Sequence, residues 1–213
     1  MQRLALFDLD HTLVNLDEAF GVWAVEFADK RELAHQAVAW LLDLNAEGYP
    51  HREVFFGRVR ERFGLVELWR RYRRRMPHLA RCPSAVINGL ALLWDAGWKV
   101  GVVTNWTPDN QLGNLQRTGL AAAVNAYALA GIEGVRKPDV RLFEIAAQRC
   151  GTTLAGGGWM VGDHPIADIS GGHAASLHTV WIDRGTWPGQ EHEADQVVTD
   201  VLQATQVIQQ HHT

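Results

Sequence analysis

The chain has 213 residues, enough to bury a full core and to form one large domain or two small ones. Its formal net charge of −4 argues against a general nucleic-acid binder, which would be basic. Two cysteines, Cys82 and Cys150, exclude a disulfide framework or a four-cysteine zinc site and read as reduced thiols.

The first apolar run, Leu4-Ala5-Leu6-Phe7, ends in Asp8-Leu9-Asp10. The chain enters this strand without the pattern of a secretory leader. No apolar run approaches about 20 residues, so no membrane partner is expected and the reading is soluble and cytoplasmic. An extended chain sends residues i and i+2 to one face, so Asp8 and Asp10 are expected together where the strand leaves the core. Two carboxylates that close require a bound cation or a shared proton.

From Asp17 to about Arg81 the period is helical. Phe20, Trp23, Ala24 and Phe27 form one stripe; Leu33, Ala37, Trp40, Leu41 and Leu44 a second; Phe56, Val59 and Phe63 a third; Leu65, Leu68, Trp69, Tyr72 and Met76 a fourth. Gly48-Tyr49-Pro50 and Gly64 punctuate the series. Four short amphipathic helices of this kind can close around a core of their own.

After Pro83 strands and helices alternate. Ile87, Leu90, Ala91 and Trp94 mark a helix ending at Gly97; a β-branched strand follows from Lys99 to Asn105. A polar helix runs through Leu112 and Leu115 to Gly119, and residues 126–130 read as a short strand. Pro138 opens a helix with Phe143 and Ala147 inward. Residues 159–162, 178–183 and 196–198 are the remaining strands, with a helix to Ser176 and a last helix at the end. The terminal Gln-Gln-His-His-Thr reads as a frayed end. The alternation predicts an α/β fold, a doubly wound parallel sheet, in two parts. The core takes residues 1–15 and 84–213, and a helical bundle, residues 16–83, is inserted after the first strand. The tryptophans are assigned to packing, apart from Trp106.

Ligands on such sheets bind beyond the carboxyl ends of the strands. Those ends carry Asp8 and Asp10, then Thr104 and Asn105, then Lys137 in the following loop, then Asp163 with Asp168 shortly after. Several carboxylates on one rim suit a hard cation such as Mg²⁺, which favours oxygen ligands. A lysine, a hydroxyl and helix-start amides suit an anion, phosphate above all. A carboxylate beside a phosphoryl group can attack it, and a second carboxyl can move the proton.

Asp8-Leu9-Asp10-His11-Thr12, Val102-Val103-Thr104-Asn105, Lys137-Pro138 and Gly162-Asp163…Asp168 stand in this order on these elements. They resemble the four motifs of the haloacid dehalogenase-like (HAD) hydrolase superfamily, phosphatase branch. The helical insert resembles the cap of its phosphoglycolate phosphatase-like subgroup. The resemblance implies a Mg²⁺-dependent phosphatase for a small phosphorylated metabolite. Asp8 would be nucleophile and metal ligand, and Asp10 the general acid/base that also offers a carbonyl to the metal. Thr104, Asn105 and Lys137 would hold phosphate; Asp163 and Asp168 would complete the metal site. Thr12 would brace the first loop. The chain departs from the family pattern at His11, where glycine is common, and at Asn15, where aspartate is.

His11, Trp106, Arg70, Arg73 and Arg74 are further candidates for substrate contact. The dense Trp69–Arg75 segment admits three readings: a solvated helix face, an anionic-tail reader, or a nucleic-acid surface. Among rival functions, a phosphomutase shares nearly the same site, whereas a dehalogenase replaces the second aspartate. A receiver-like or idle binding module would lack the insert or part of the set. The oligomeric state stays open between monomer and homodimer.

Overall fold

The computed structural model describes residues 2–34, 36–48, 52–64, 68–187, 189 and 193–211. Tyr49, Pro50, Leu65 and the terminal His212 and Thr213, which figured in the sequence pattern, lie outside them. The chain divides into two units: the stretch up to Asn15 together with the chain from Cys82 on, and Leu16–Arg81 between.

The first unit is built on six parallel strands, the α/β sheet the alternation predicts. They are β1 (Leu4–Phe7), β2 (Lys99–Thr104), β3 (Ala126–Leu129), β4 (Trp159–Gly162), β5 (His178–Ile182) and β6 (Gln196–Val198), in the order β3-β2-β1-β4-β5-β6. β1 and β4 are buried along their whole length, so they read as continuous apolar runs. On one face Leu4 and Leu6 of β1, Val103 of β2 and Met160 of β4 pack on Leu142, Phe143, Ala146 and Ala147 of a helix at Val140–Arg149. That helix opens at Val140 rather than at Pro138. The Asp139 side chain accepts a hydrogen bond from Arg141 N at 3.0 Å and caps it.

Helix Ser84–Asp95 lies where the apolar pattern puts it, but turned. Val86, Leu90 and Leu93 face the core, while Trp94 is exposed and donates to Asn125 Oδ1 at 2.7 Å. Residues 85–94 are apolar on nearly every side, so periodicity alone leaves the phase open. Trp98, Trp159 and Trp181 are buried on or beside strands, in the packing role assigned to them. Between β4 and β5, a π-helical segment, Pro165–Ser170, precedes a single turn, Gly171–Ala174, in place of one long helix.

The inserted unit comprises four helices, Leu16–Asp29, Gln36–Gly48, Arg52–Phe63 and Leu68–Leu79. Its core gathers Phe20, Trp23, Phe27, Leu41, Leu44, Phe55, Val59, Tyr72 and Met76. Phe20 meets Phe55 edge-on at 5.5 Å, and Trp23 meets Tyr72 at 5.1 Å. In the third helix Phe55, not Phe56, is the fully buried ring. Arg52 is buried among these rings and donates to Asn45 Oδ1. Among the described residues no helix is long and apolar enough to cross a membrane.

Candidate active site

The central strand β1 has β2 on one side and β4 on the other, so three strand ends meet at one edge of the sheet. Asp8 directly follows β1, and its N–H donates to Val161 O at 2.8 Å, extending the pairing with β4 by one residue. This holds the Asp8 backbone rigidly at the rim.

Lys137 Nζ lies 2.5 Å from Asp8 Oδ1 and 2.6 Å from Asp168 Oδ1, with all three side chains buried. Asp163 joins them: one oxygen from each of Asp8, Asp163 and Asp168 falls within 4.8 Å of the others. Every donor in that group is a carboxylate oxygen, the chemistry a hard divalent cation takes. One ammonium cannot neutralise three buried carboxylates. Burial pushes Asp8 well above its usual range; Lys137 opposes the shift and the neighbouring carboxylates reinforce it. Burial, then Asp168, raises Asp163 to about 7. Burial pulls Lys137 down, but Asp168 and Asp8 outweigh it, and its ammonium is held charged.

Local structure explains how Asp168 reaches the group. The π-helical segment makes a wide turn after β4, and His164 caps it: Nδ1 accepts from Ile166 N and Ala167 N, both at 3.2 Å. Burial pulls His164 below its usual range, which suits a neutral, accepting ring. His164 N donates to Asp168 Oδ2 at 3.0 Å. Gly162 is required at the end of β4, because a Cβ there would stand 2.2 Å from Asp168 Oδ2. Trp181 Nε1 donates to the Asp163 carbonyl at 2.8 Å.

Thr104 and Asn105 end β2. Asn105 Nδ2 donates to Lys137 O at 2.9 Å, and Lys137 N donates to Asn105 Oδ1 at 2.7 Å. Asn105 therefore grips the backbone of the Lys137 loop. Asp10 faces different partners from Asp8. Its Oδ2 accepts from Gln111 Nε2 at 2.9 Å and its Oδ1 from Asn114 Nδ2 at 3.5 Å, while Gln111 Nε2 also donates to Thr104 Oγ1 at 2.6 Å. Gln111 and Asn114 were not singled out from sequence. They lie on the inward face of helix Pro108–Arg117, which reads as polar and hence as solvent-facing. The usable signal was the apolar Leu115 one residue from Asn114, since a buried Leu115 turns Gln111 and Asn114 inward too.

His11 is buried with φ +59°, a left-handed backbone that glycine adopts without strain. The departure from glycine is thus tolerated by a non-glycine residue in a glycine-like conformation. Thr12 Oγ1 is buried and makes no hydrogen bond among the described residues. The loop is braced instead by Leu13 N and Val14 N, which both donate to Leu9 O. Trp106 is half-buried, and its carbonyl and Pro108 crowd Gly131.

The remaining candidates belong to the inserted unit, on its last helix. Arg74, with Arg71 and Arg75, lines a cleft of about 360 Å³ against Trp23 and Phe27 of the first helix and Arg31 just past its end. Arg75 is paired with Glu26. Arg73 lies over the Trp69 ring at 5.5 Å, and Arg70 is exposed.

Residues 5–182 match the family model described as haloacid dehalogenase-like hydrolase. The chain is 33% identical over 173 residues to a phosphoserine phosphatase of Thermus thermophilus, covering 80% of this chain and 60% of that protein. It is 26% identical over 198 residues to a pyrimidine 5'-nucleotidase of Streptococcus pneumoniae, covering 85% and 84%. A solved HAD phosphatase from Thermococcus onnurineus shares the fold, with TM-score 0.66 and 23% identity over 98% of each chain.

Proposed function

We propose that this chain, which belongs to the haloacid dehalogenase-like hydrolase family, is a phosphatase that transfers a phosphoryl group to Asp8 and then to water. The observation that supports it most directly is the buried contact of Asp8 with Lys137, beside Asp163 and Asp168. A carboxylate able to act as nucleophile, a fixed ammonium and further oxygen donors converge at the end of a strand.

In the first step an Asp8 oxygen attacks phosphorus, the bond to the leaving oxygen breaks, and Asp10 gives that oxygen its proton. In the second, Asp10, now a carboxylate, takes a proton from water as the water oxygen attacks phosphorus, which frees Asp8 and releases phosphate. Lys137 and the Thr104 hydroxyl hold phosphoryl oxygens, stabilising charge that peaks in the transition state. Asn105 acts through the Lys137 backbone. Asp8, Asp163, Asp168 and the Asp10 carbonyl would hold Mg²⁺, which would offset the charge of the three carboxylates and the phosphate. Asp10 favours this chemistry over dehalogenation, because halide leaves without a proton.

The relatives are named for phosphoserine, pyrimidine nucleotides and glyceraldehyde 3-phosphate. Their shared chemistry is a small organic phosphate monoester, and that is the substrate class proposed here. The chain spans about three fifths of the Thermus relative, and the individual substrate is the part that differs among relatives. The inserted helices would serve as a cap that opens and closes, limiting bulk water and selecting substrates by size.

The test is phosphate release from an aryl phosphate with Mg²⁺ present. Asp8→Asn abolishes turnover while the melting temperature stays measurable, and excess chelator silences the wild type. Near-wild-type rates in Asp8→Asn would refute the nucleophile; activity persisting in chelator would refute the metal.

A further inference from the structure

We propose that Gln111 is a positioning residue for proton transfer: its amide holds the Asp10 carboxylate in place, anchored on the Thr104 hydroxyl. The inference rests on the phosphatase reading above.

A primary amide nitrogen has two hydrogens. Gln111 Nε2 has two acceptors in reach, Asp10 Oδ2 at 2.9 Å and Thr104 Oγ1 at 2.6 Å, one for each hydrogen. Gln111 Oε1 accepts from Asn114 Nδ2 at 3.3 Å. The reverse orientation of the amide would set its carbonyl oxygen against a carboxylate, so charge fixes the nitrogen towards Asp10. Both Gln111 and Asn114 are fully buried. An apolar side chain would fill either position without needing partners, yet two adjacent turns of one helix present amides there. The link joins the loop after β1 to the end of β2 through side chains alone. It also gives Asp10 an anchor separate from the Lys137 cluster that holds Asp8. The proton-transfer group and the nucleophile are thus oriented by independent contacts.

A proton donor matters in proportion to the basicity of the leaving oxygen. Dinitrophenolate leaves without a proton; an alkoxide does not. The parameter kcat/KM reports the steps through loss of the leaving group, so it isolates the acid role of Asp10 from its later role with water. The experiment compares kcat/KM for glycerol phosphate and dinitrophenyl phosphate in the wild type, Gln111→Leu and Gln111→Met, with Mg²⁺. Gln111→Leu is expected to shift the ratio against glycerol phosphate by about tenfold or more. Gln111→Met, which keeps the side-chain length but has no N–H or O–H to donate, shifts it the same way and covers the case in which Gln111→Leu does not fold. In an Asp10→Asn background the shift disappears. An unchanged ratio in the variants that fold, whatever the absolute rates, would mean a packing role and overturn the proposal. A wild type that hydrolyses neither ester would instead overturn the phosphatase reading itself.

Discussion

Gly162 and Asp168 show how one hydrogen atom's worth of space shapes the site. The strand-end glycine lets the Asp168 carboxylate fold back against the β4 backbone, where a Cβ would overlap its oxygen. Gly162→Ala is therefore expected to displace Asp168, lowering kcat at least about tenfold and stability by about 1–3 kcal/mol. Steady-state kinetics with a thermal melt checks this; unaltered kinetics would show that Asp168 has room to move without consequence. Asp8, Asp10, Thr104 and Asp163 were legible in the sequence because each stands at or just past a strand end, where polarity after an apolar run is conspicuous; Lys137 and Asp168 lie further along the loops and were picked out by the Lys-Pro pair and the spacing from Gly162-Asp163. Gln111 and Asn114 were not, because in a helix made mostly of polar residues the inner face is marked by little more than Leu115. His11 showed only as a departure from glycine, since φ is invisible until the loop is built.

The elements were legible where one period dominated. β2 is such a case, a β-branched run ending in Thr104, whereas its place beside β1 appears only in the structure. Helix Ser84–Asp95 was legible as a helix but not in its phase, for want of a polar side. The π-helical turn at Pro165–Ser170 had no sequence signal, since its width is set by the capping His164 and the Asp168 contact. Within β2, Gly101 is held to glycine by packing: a Cβ there would lie 2.8 Å from Leu6 Cδ2 and 2.9 Å from Cys150 Sγ. Gly101→Ala is expected to cost about 1–3 kcal/mol through strain between strand and helix. Urea denaturation measures it; a midpoint equal to wild type would mean the layer yields freely.

At the scale of the molecule, the carboxylate cluster ties stability to pH and to cations. Without a cation, Asp163 titrates at about 7 in the fold, against 3.8 for an ordinary aspartate. Between those values the folded state holds a proton that the unfolded state has lost, so stability falls as pH rises through that window and then levels off. Asp8, also raised, adds to the same slope. Asp139 and Asp195, both lowered, act with the opposite sign, but at more acid pH. In chelator, the melting temperature is expected to drop from pH 5 to pH 8, and Mg²⁺ to restore more of it at pH 8 than at pH 5. A Mg²⁺ effect of equal size at both values would remove the cluster as the binding site.

The sheet order has a kinetic consequence. β1 is the earliest of the six strands in the chain and occupies a middle place in the sheet, pairing Leu4 with Lys99 and Ala5 with Trp159. During synthesis this wholly apolar strand emerges long before either neighbour exists, while the helices of the inserted unit, whose contacts are local, can already fold. Closing the sheet must await β4, and loops of that length make the step slow. The nascent chain thus passes through a stage in which an unpartnered sticky strand trails a finished helical bundle, the state most open to aggregation or chaperone capture.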